Sequence, residues 1–478
     1  MAGAEGSSLA GQTTLAEPAP AGAAAADVAP SLQSLLDAAN LGGMVGFVVA
    51  DARSGQVLEQ RNATLGLPPA SVAKTMTTLY ALDVLGPAHR FVTWLLATGP
   101  VQNGTIAGDL ILGGGGDPTL STDGLASMVK AMKAQGITGV AGRFLVWGGA
   151  LPQIERIDRE QPEQVAYNPA IGGLNLNFNR VYFEWKRAGN GYTTSLDARS
   201  DLYRPAVRMA SMRVVPRAAP LYTFAGGSNV DQWSVAESAL GKGGSRWLPV
   251  RQPALYAGQA FQGLAAAFGI RLPNPRLTAT APKGTVLVRQ SSADLASILK
   301  DMLRFSTNMT AEIIGLAASR ARGGDPRSLA ASAGMMNDWL RQKHGLASAR
   351  FVDHSGLEGA TRIAPADLVK ALVRAGPDGA LRSLLRSYAA AEADVTAGRG
   401  VQMFAKTGTL NFVSGLAGYV TPPDGRELVF AILCADAARR DQVPMAEREM
   451  PDGNRAWTKR ARGLQRALIG RWAMVYGV

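Results

Sequence analysis

Pro68-Pro69-Ala70-Ser71-Val72-Ala73-Lys74, continued by Thr75-Met76-Thr77-Thr78-Leu79, places a serine where a helix begins and a lysine three residues further on. On a helix, positions i and i+3 share a face, and a rise of about 1.5 Å per residue sets Lys74 one turn beyond Ser71. That spacing makes a nucleophile and a base neighbours, because an amine so placed can take the hydroxyl proton. The tandem prolines resist backward extension of the helix. Val72, Met76, Leu79 and Leu82 form an apolar stripe expected to bury it. Ser71 then lies at a helix start, where unpaired backbone N–H groups and the positive end of the dipole favour a developing oxyanion.

Ser-x-x-Lys is a short pattern and recurs at Ser127/Lys130 and Ser297/Lys300. Both of those lie within amphipathic stretches, with no helix-start signal at the serine, and read as helix surface. Two downstream segments set Ser71 apart. Arg304-Phe305-Ser306-Thr307-Asn308-Met309 interrupts two helical patterns, 292–303 and 310–320, so Ser306 and Asn308 are expected on a short connection, where site residues collect. Met403-Phe404-Ala405-Lys406-Thr407-Gly408-Thr409 reads as a strand whose glycine lets a ligand approach the backbone closely. Lys-Thr-Gly occurs once in the chain.

In this order, Ser-x-x-Lys, Ser-x-Asn and Lys-Thr-Gly resemble the signature of the penicillin-recognising active-site serine enzymes. The stretch between Ser71 and Ser306 is far longer than β-lactamases or the shorter carboxypeptidases carry. It is similar to the D-alanyl-D-alanine carboxypeptidase/endopeptidase family of the penicillin-binding protein 4 type, peptidase family S13. Residues 108–120, Tyr167-Asn168-Pro169 and Leu174-Asn175-Leu176-Asn177-Phe178-Asn179-Arg180 resemble that family's inserted region. Asp353-His354-Ser355-Gly356-Leu357-Glu358 resembles its Asp-Gly-Ser-Gly-Leu-Ser segment, with His354 and Glu358 as departures. A packing role, a place at the substrate rim, or a plain Ser355-Gly356 turn are open readings of it. The resemblance runs from residue 30 to the C-terminus.

Composition bounds the rest. The 478 residues, at a prior of about 150 per domain, suggest two or three domains, and 47% apolar content is ample for real cores. No stretch approaches the ~20 uninterrupted apolar residues of a membrane span, so the chain is expected to be soluble or at most peripheral to a membrane. The single cysteine, Cys434, excludes an internal disulfide and sits in an apolar run as a small hydrophobe. A net charge of +12 and a pI near 9.9 permit attraction to anionic polymers. The cations are spread thinly, without aromatic interleaving, so nucleic acid is not expected.

Residues 1–30, rich in Ala, Gly, Pro and Ser and free of aromatics, are expected to be disordered. They lack the basic and apolar regions of a secretory signal. A trimmed or replaced signal, a misassigned start, or another export route would each reconcile that with a substrate outside the cytoplasmic membrane. Residues 44–59 form two β-rich runs about Ser54-Gly55, and a second hairpin is expected about Thr421-Pro422-Pro423-Asp424-Gly425. A helix follows over 457–474. Strands from both chain ends therefore share one antiparallel sheet covered by terminal helices, beside an all-α lobe carrying Ser71 and Ser306. The class is α/β of the α+β kind, and the resemblance implies the serine β-lactamase/DD-transpeptidase-like arrangement. By the same resemblance, residues 31–95 and 285–478 are expected to form the penicillin-binding transpeptidase-like catalytic domain. Residues 96–284 are an inserted accessory region of short strands and Gly/Pro-rich turns.

The resemblance implies a periplasmic or otherwise extracytoplasmic hydrolase. Ser71 would attack the carbonyl of the penultimate D-alanine of a peptidoglycan stem peptide, with Lys74 as base. Lys74 must be neutral for this; burial and the ammonium of Lys406 would both lower its pKa. Ser306 would relay a proton to the leaving amine, and Asn308 would orient Lys74 or the substrate amide. Lys406, Thr407, Gly408 and Thr409 would bind substrate, the first two through its carboxylate, with the Ser71 and Thr409 N–H groups as oxyanion hole. Peptidoglycan peptides and β-lactam antibiotics are the partners implied. No cofactor is needed. No metal motif occurs, Gly113 to Gly116 reads as a tight turn and not a phosphate loop, and none of the histidines, His89, His344 and His354, has a triad context. A β-lactamase is the rival enzyme, though no Glu-x-x-x-Asn pair is found. A peptidoglycan-binding scaffold without catalysis is the rival of another class.

Overall fold

The computed structural model describes residues 29–227, 230–388, 401–422 and 425–476. Most of the Ala/Gly/Pro-rich segment expected to be disordered, and Pro423 and Asp424 of the expected turn, lie outside the described residues.

Two apolar runs from opposite chain ends, Met44–Asp51 and Leu428–Ala435, pair antiparallel along their whole length, Met44 opposite Ala435 and Asp51 opposite Leu428. They form the middle of a six-stranded sheet whose order is Arg386–Tyr388, Gln402–Leu410, Val413–Thr421, Leu428–Ala435, Met44–Asp51, Val57–Arg61. Side chains alternate across a strand, so each central strand serves two cores. Phe47, Val49, Phe430, Ile432 and Cys434 meet the helix Asn454–Tyr476, whose Trp472 ring lies 5.6 Å from that of Phe47. Val48, Ala50, Val429, Ala431 and Leu433 meet the helices on the other face. Burial on both sides explains why these strands read as continuous apolar runs. It also pushes the Cys434 thiol up to about 12, which keeps it an inert hydrophobe.

The second core packs Ala73–Val84 against Leu295–Phe305, Asn308–Ala321, Leu329–Trp339 and Pro365–Ala375 as well as the sheet, so the helical lobe and the sheet share one interior. The expected apolar stripe is not what buries the first of these helices. Leu79 and Leu82 are only half-buried, whereas Thr75, Thr77 and Thr78 are fully enclosed. Each threonine hydroxyl is satisfied by a carbonyl, of Val72 at 2.7 Å, His354 at 2.6 Å and Lys74 at 2.7 Å, which offsets the cost of burying it. A helix surrounded on all sides needs no stripe.

The chain leaves this unit along Val92–Ala97 and returns along Thr285–Ser291, and the two strands pair with each other, Val92 opposite Ser291. Between them lies a separate core built from residues such as Leu95, Leu125, Phe144, Phe183, Trp233 and Phe261. It includes two helices: Thr122–Ala134, which carries Ser127 and Lys130 on its surface as expected, and Pro253–Ala267, which the reading of short strands and turns did not foresee. Gly113 and Gly114 belong to the strand Leu110–Gly114 and not to a tight turn. The Trp94 indole fills the space a Gly113 side chain would need, a Cβ there falling 2.5 Å from its Nε1. Ser127, Lys130, Ser297 and Lys300 are exposed on helix surfaces.

Candidate active site

Ser71 lies in a single 3-10 turn, Ala70–Val72, that runs directly into the helix Ala73–Val84. Ala70 holds a φ of +48°, a left-handed conformation costing a non-glycine residue on the order of 1–3 kcal/mol. Two glycines make room for this turn. A Cβ on Gly408 would meet Pro69 O at 2.5 Å and Ser71 N at 2.9 Å, and one on Gly356 would meet Ala70 O at 2.0 Å. The expected close approach at Gly408 is therefore made by the turn of Ser71 itself. It brings the strand Gln402–Leu410 against the serine backbone.

Lys74 is completely buried and makes three contacts: Ser71 Oγ at 2.9 Å, Asn308 Oδ1 at 2.8 Å and the Ser355 carbonyl at 2.8 Å. Asn308 Nδ2 donates to the Tyr167 carbonyl at 3.1 Å, which fixes the amide so that its oxygen faces Lys74. Two of the three partners of Lys74 are thus pure acceptors. A neutral amine has two N–H donors, and these two acceptors use both. Its lone pair is left facing the Ser71 hydroxyl.

Asn308 opens the helix Asn308–Ala321 and is not on the connection; only Ser306, with φ +59°, and Thr307 link the two helices. Lys406 is 2% exposed and donates to Ser306 Oγ at 3.0 Å and the Thr407 carbonyl at 2.7 Å. A ligand would meet Ser306 first, with the ammonium beneath it. The cleft, about 460 Å³, is within the range of small-ligand sites and is lined by Ser71, Ser306, Asn308 and Thr409 but not by Thr407, which is exposed elsewhere. The Thr409 hydroxyl accepts from Arg462 at 3.2 Å, on the side of the C-terminal helix.

Burial, followed by the charge of Lys406, lowers Lys74 to about 7, and burial lowers Lys406 to about 8. Asp353 and Glu312 act on Lys74 in the opposite sense. Glu312 is not picked out from sequence, and Asp353 enters only as the first residue of the 353–358 segment. Asp353 accepts from Ser355 Oγ at 3.1 Å and Thr361 Oγ1 at 2.7 Å, and Glu312 binds the amides of His354 and Ser355. An acid among Met309, Ile313 and Leu316 was the available signal for Glu312. Segment 353–358 therefore lies under the turn of Ser71 and against Lys74, not merely at a turn. His354 is buried and held near 3 by that burial, with Nε2 2.8 Å from Ser332 Oγ, so it is turned away from Ser71. The outer cleft is walled by Tyr167 and Glu358, from two of the segments singled out by sequence, and by Glu160, Arg440 and Arg448, which no motif marks.

Among the described residues no group of three or more His, Cys, Asp and Glu could hold a metal ion. No helix among them is long and apolar enough to cross a membrane.

A family model described as the D-Ala-D-Ala carboxypeptidase 3 (S13) family matches residues 28–452. The chain is 28% identical over 437 residues to a D-alanyl-D-alanine carboxypeptidase of Actinomadura sp. (strain R39), covering 84% of this chain and 79% of that one. It is 25% identical over 409 residues to the D-alanyl-D-alanine carboxypeptidase DacB of Haemophilus influenzae, covering 81% and 85%. The solved structure of penicillin binding protein 4 (dacB) from Haemophilus influenzae matches with a TM-score of 0.73 at 21% identity, over 91% of this chain and 98% of that one. A second structure of that protein, complexed with a β-lactam, matches with a TM-score of 0.71. The mixed α/β architecture is thus shared with a penicillin-binding protein.

Proposed function

The chain belongs to the D-Ala-D-Ala carboxypeptidase 3 (S13) family, and we propose from that premise that it hydrolyses the terminal D-alanyl-D-alanine bond of peptidoglycan stem peptides through an acyl-enzyme on Ser71. The observation that carries this reading is the bonding of Lys74, whose two acceptor partners leave its lone pair on the serine hydroxyl. With Lys74 lowered to about 7, an appreciable fraction is neutral near neutral pH and ready to act as base.

In the forward step Lys74 Nζ takes the Oγ proton as Oγ bonds to the carbonyl carbon of the penultimate D-alanine. The oxyanion so formed is held by the N–H groups of Ser71 and Thr409, whose strands and turn the Gly408 contact brings together; one such donor is typically worth about 2.7–4 kcal/mol of barrier. The proton on Lys74 passes through Ser306 to the leaving nitrogen, the C–N bond breaks, and D-alanine departs. Water then attacks the ester, gives its proton back to Ser71 Oγ, and one water is consumed in all. Lys406 assists Ser306 and draws the substrate carboxylate, with Thr409 further along the same strand; Thr407, which faces away from the cleft, is left without the expected carboxylate contact. Endopeptidase cleavage of a D-alanine-containing cross-link is the same chemistry with a longer leaving group.

Fast penicillin hydrolysis would need a carboxylate free to activate the deacylating water. Glu312 is committed to two backbone amides and is not free for that role, which favours a peptidase over a β-lactamase. A peptidoglycan substrate would call for a periplasmic or otherwise extracytoplasmic protein. Residues 96–284 would act as an accessory region that walls the cleft through Tyr167 and Glu160. The test is to incubate the protein with a fluorescent penicillin and locate the adduct by mass spectrometry, then measure D-alanine release from a stem pentapeptide. A lasting penicilloyl group on Ser71 with D-alanine release supports the proposal. Rapid adduct turnover would make it a lactamase, and no adduct a binding scaffold.

A further inference from the structure

We propose that Glu312 is a positioning residue for acylation: its carboxylate fixes the backbone at His354 and Ser355 so that the Ser355 carbonyl holds one N–H of Lys74 and the lysine lone pair stays on Ser71. This rests on the acyl-enzyme reading above and adds a residue that none of the three sequence motifs supplies with a role.

Glu312 is fully buried on the helix that Asn308 opens, four residues further on and so on the same face. One oxygen, Oε2, accepts from His354 N at 2.9 Å and the other, Oε1, from Ser355 N at 2.8 Å. The carbonyl of the second of these residues is the one that accepts from Lys74 at 2.8 Å. A single helix face therefore sets both acceptors of the lysine, one directly through Asn308 and one through Glu312 and the backbone it grips. Because both carboxylate oxygens face N–H donors, only an acid fits. A glutamine would turn its NH2 group on one of the backbone amides and lose that bond.

The surrounding charges are few. Lys74 faces Glu312 from the nucleophile helix and Asp353 faces it from the same loop it grips. The His354 ring is directed at Ser332, and Lys406 acts on Lys74 from the strand. Burial, followed by Asp353, raises Glu312 above the ordinary carboxylate range against the pull of the two amides and Lys74, while an N–H donor on each of its two oxygens is the bonding of a carboxylate. Glu312 in turn holds the proton on Lys74, so the loss of its charge lowers the lysine pKa. Positioning and charge thus leave separate marks: one on the rate, one on the pH at which the rate rises.

The experiment compares the second-order rate of acylation by a fluorescent penicillin for the full-length protein and Glu312→Gln as a function of pH. The expected result is a maximal rate lowered by about 10-fold or more, the scale of one lost charge-assisted bond, together with an acid limb displaced to lower pH. An unchanged rate overturns the proposal, and so does a lowered rate with the limb unmoved, since a purely structural residue would act in that way. If the variant does not fold, as judged by circular dichroism, the wild-type protein decides by NMR. The amide protons of His354 and Ser355 should shift through the same inflection as Lys74 13Cε, and amides that stay fixed through that titration overturn the proposal. Failure of wild-type protein to acylate at all sinks the acyl-enzyme reading instead, and the NMR measurement still tests the Glu312 link.

Discussion

Asn308 presents its carbonyl oxygen to Lys74 at 2.8 Å because its amide nitrogen is held 3.1 Å away by the backbone of Tyr167, a residue of the inserted region. The orientation of Asn308, and through it one bond of Lys74, is therefore set from a segment far away in the chain. Asn308→Ala removes one of the two acceptors of a neutral Lys74, and its acylation by penicillin should fall by about 10- to 100-fold, the cost of an unmade buried hydrogen bond of roughly 1–3 kcal/mol. Asn308→Asp should place an anion beside the ammonium form and move the acid limb of the rate profile to higher pH. A wild-type rate in the alanine variant would refute the role.

Acylation by the unmodified protein should rise with pH through about 7, as Lys74 gives up its proton. The sign follows from its need for the neutral form. Lys406 is one of the two influences that depress Lys74, so Lys406→Met should raise the lysine pKa and displace the limb to higher pH, besides slowing the reaction through Ser306. Rate profiles of the two proteins, measured with one fluorescent penicillin, check this directly. A limb that moves to lower pH would contradict the electrostatic account.

Gly408→Ala should abolish acylation while leaving the sheet intact. The added methyl would sit 2.5 Å from Pro69 O and 2.9 Å from Ser71 N, both backbone atoms that cannot swing aside. The strand or the turn of Ser71 must then shift, and a displacement of about 1 Å at a reacting group can cost on the order of 100-fold in rate. Circular dichroism and the extent of penicillin labelling distinguish this from unfolding, which would remove both signals.

Much of this arrangement could be read from the sequence because it is local. Ser71 and Lys74 share a helix face, Lys406 lies in a strand with a required glycine, and the apolar runs at 45–50 and 428–434 announce buried strands. What could not be read depends on contacts between distant segments. Thr75, Thr77 and Thr78 look like the polar side of an amphipathic helix until loop 353–358 and the helix Asn308–Ala321 are seen to cover them. The Tyr167 carbonyl and the amides of His354 and Ser355 act through backbone groups, which carry no residue signature at all. Gly113 to Gly116 invite a turn reading, since nothing local reveals that the Trp94 ring occupies the missing side-chain volume.

Gly315 and His354 form a pair whose coupling a double-mutant cycle can measure. A Cβ on Gly315 would lie 2.1 Å from the His354 Cγ, so the imidazole fills the groove that the glycine leaves in the helix Asn308–Ala321. Gly315→Ala alone should be destabilised by about 1–3 kcal/mol, as overpacked cores are. His354→Gly alone opens a cavity and loses the bond to Ser332. The double variant should recover part of both losses, since the new methyl enters the space that the ring vacates, and the sum of the single effects should exceed the combined one. The histidine also carries a pH signature. Burial holds it near 3 in the folded chain against an ordinary 6.5, so the unfolded state binds the extra proton between those values and stability falls as pH drops through that window. Relative to the His354→Gly variant, the wild-type protein should lose up to about 1.4 kcal/mol more per pH unit on acidification below 6.5, measurable by urea denaturation at several pH values. Parallel pH dependences in the two proteins would show that His354 is charged in the fold and that the packing account is wrong.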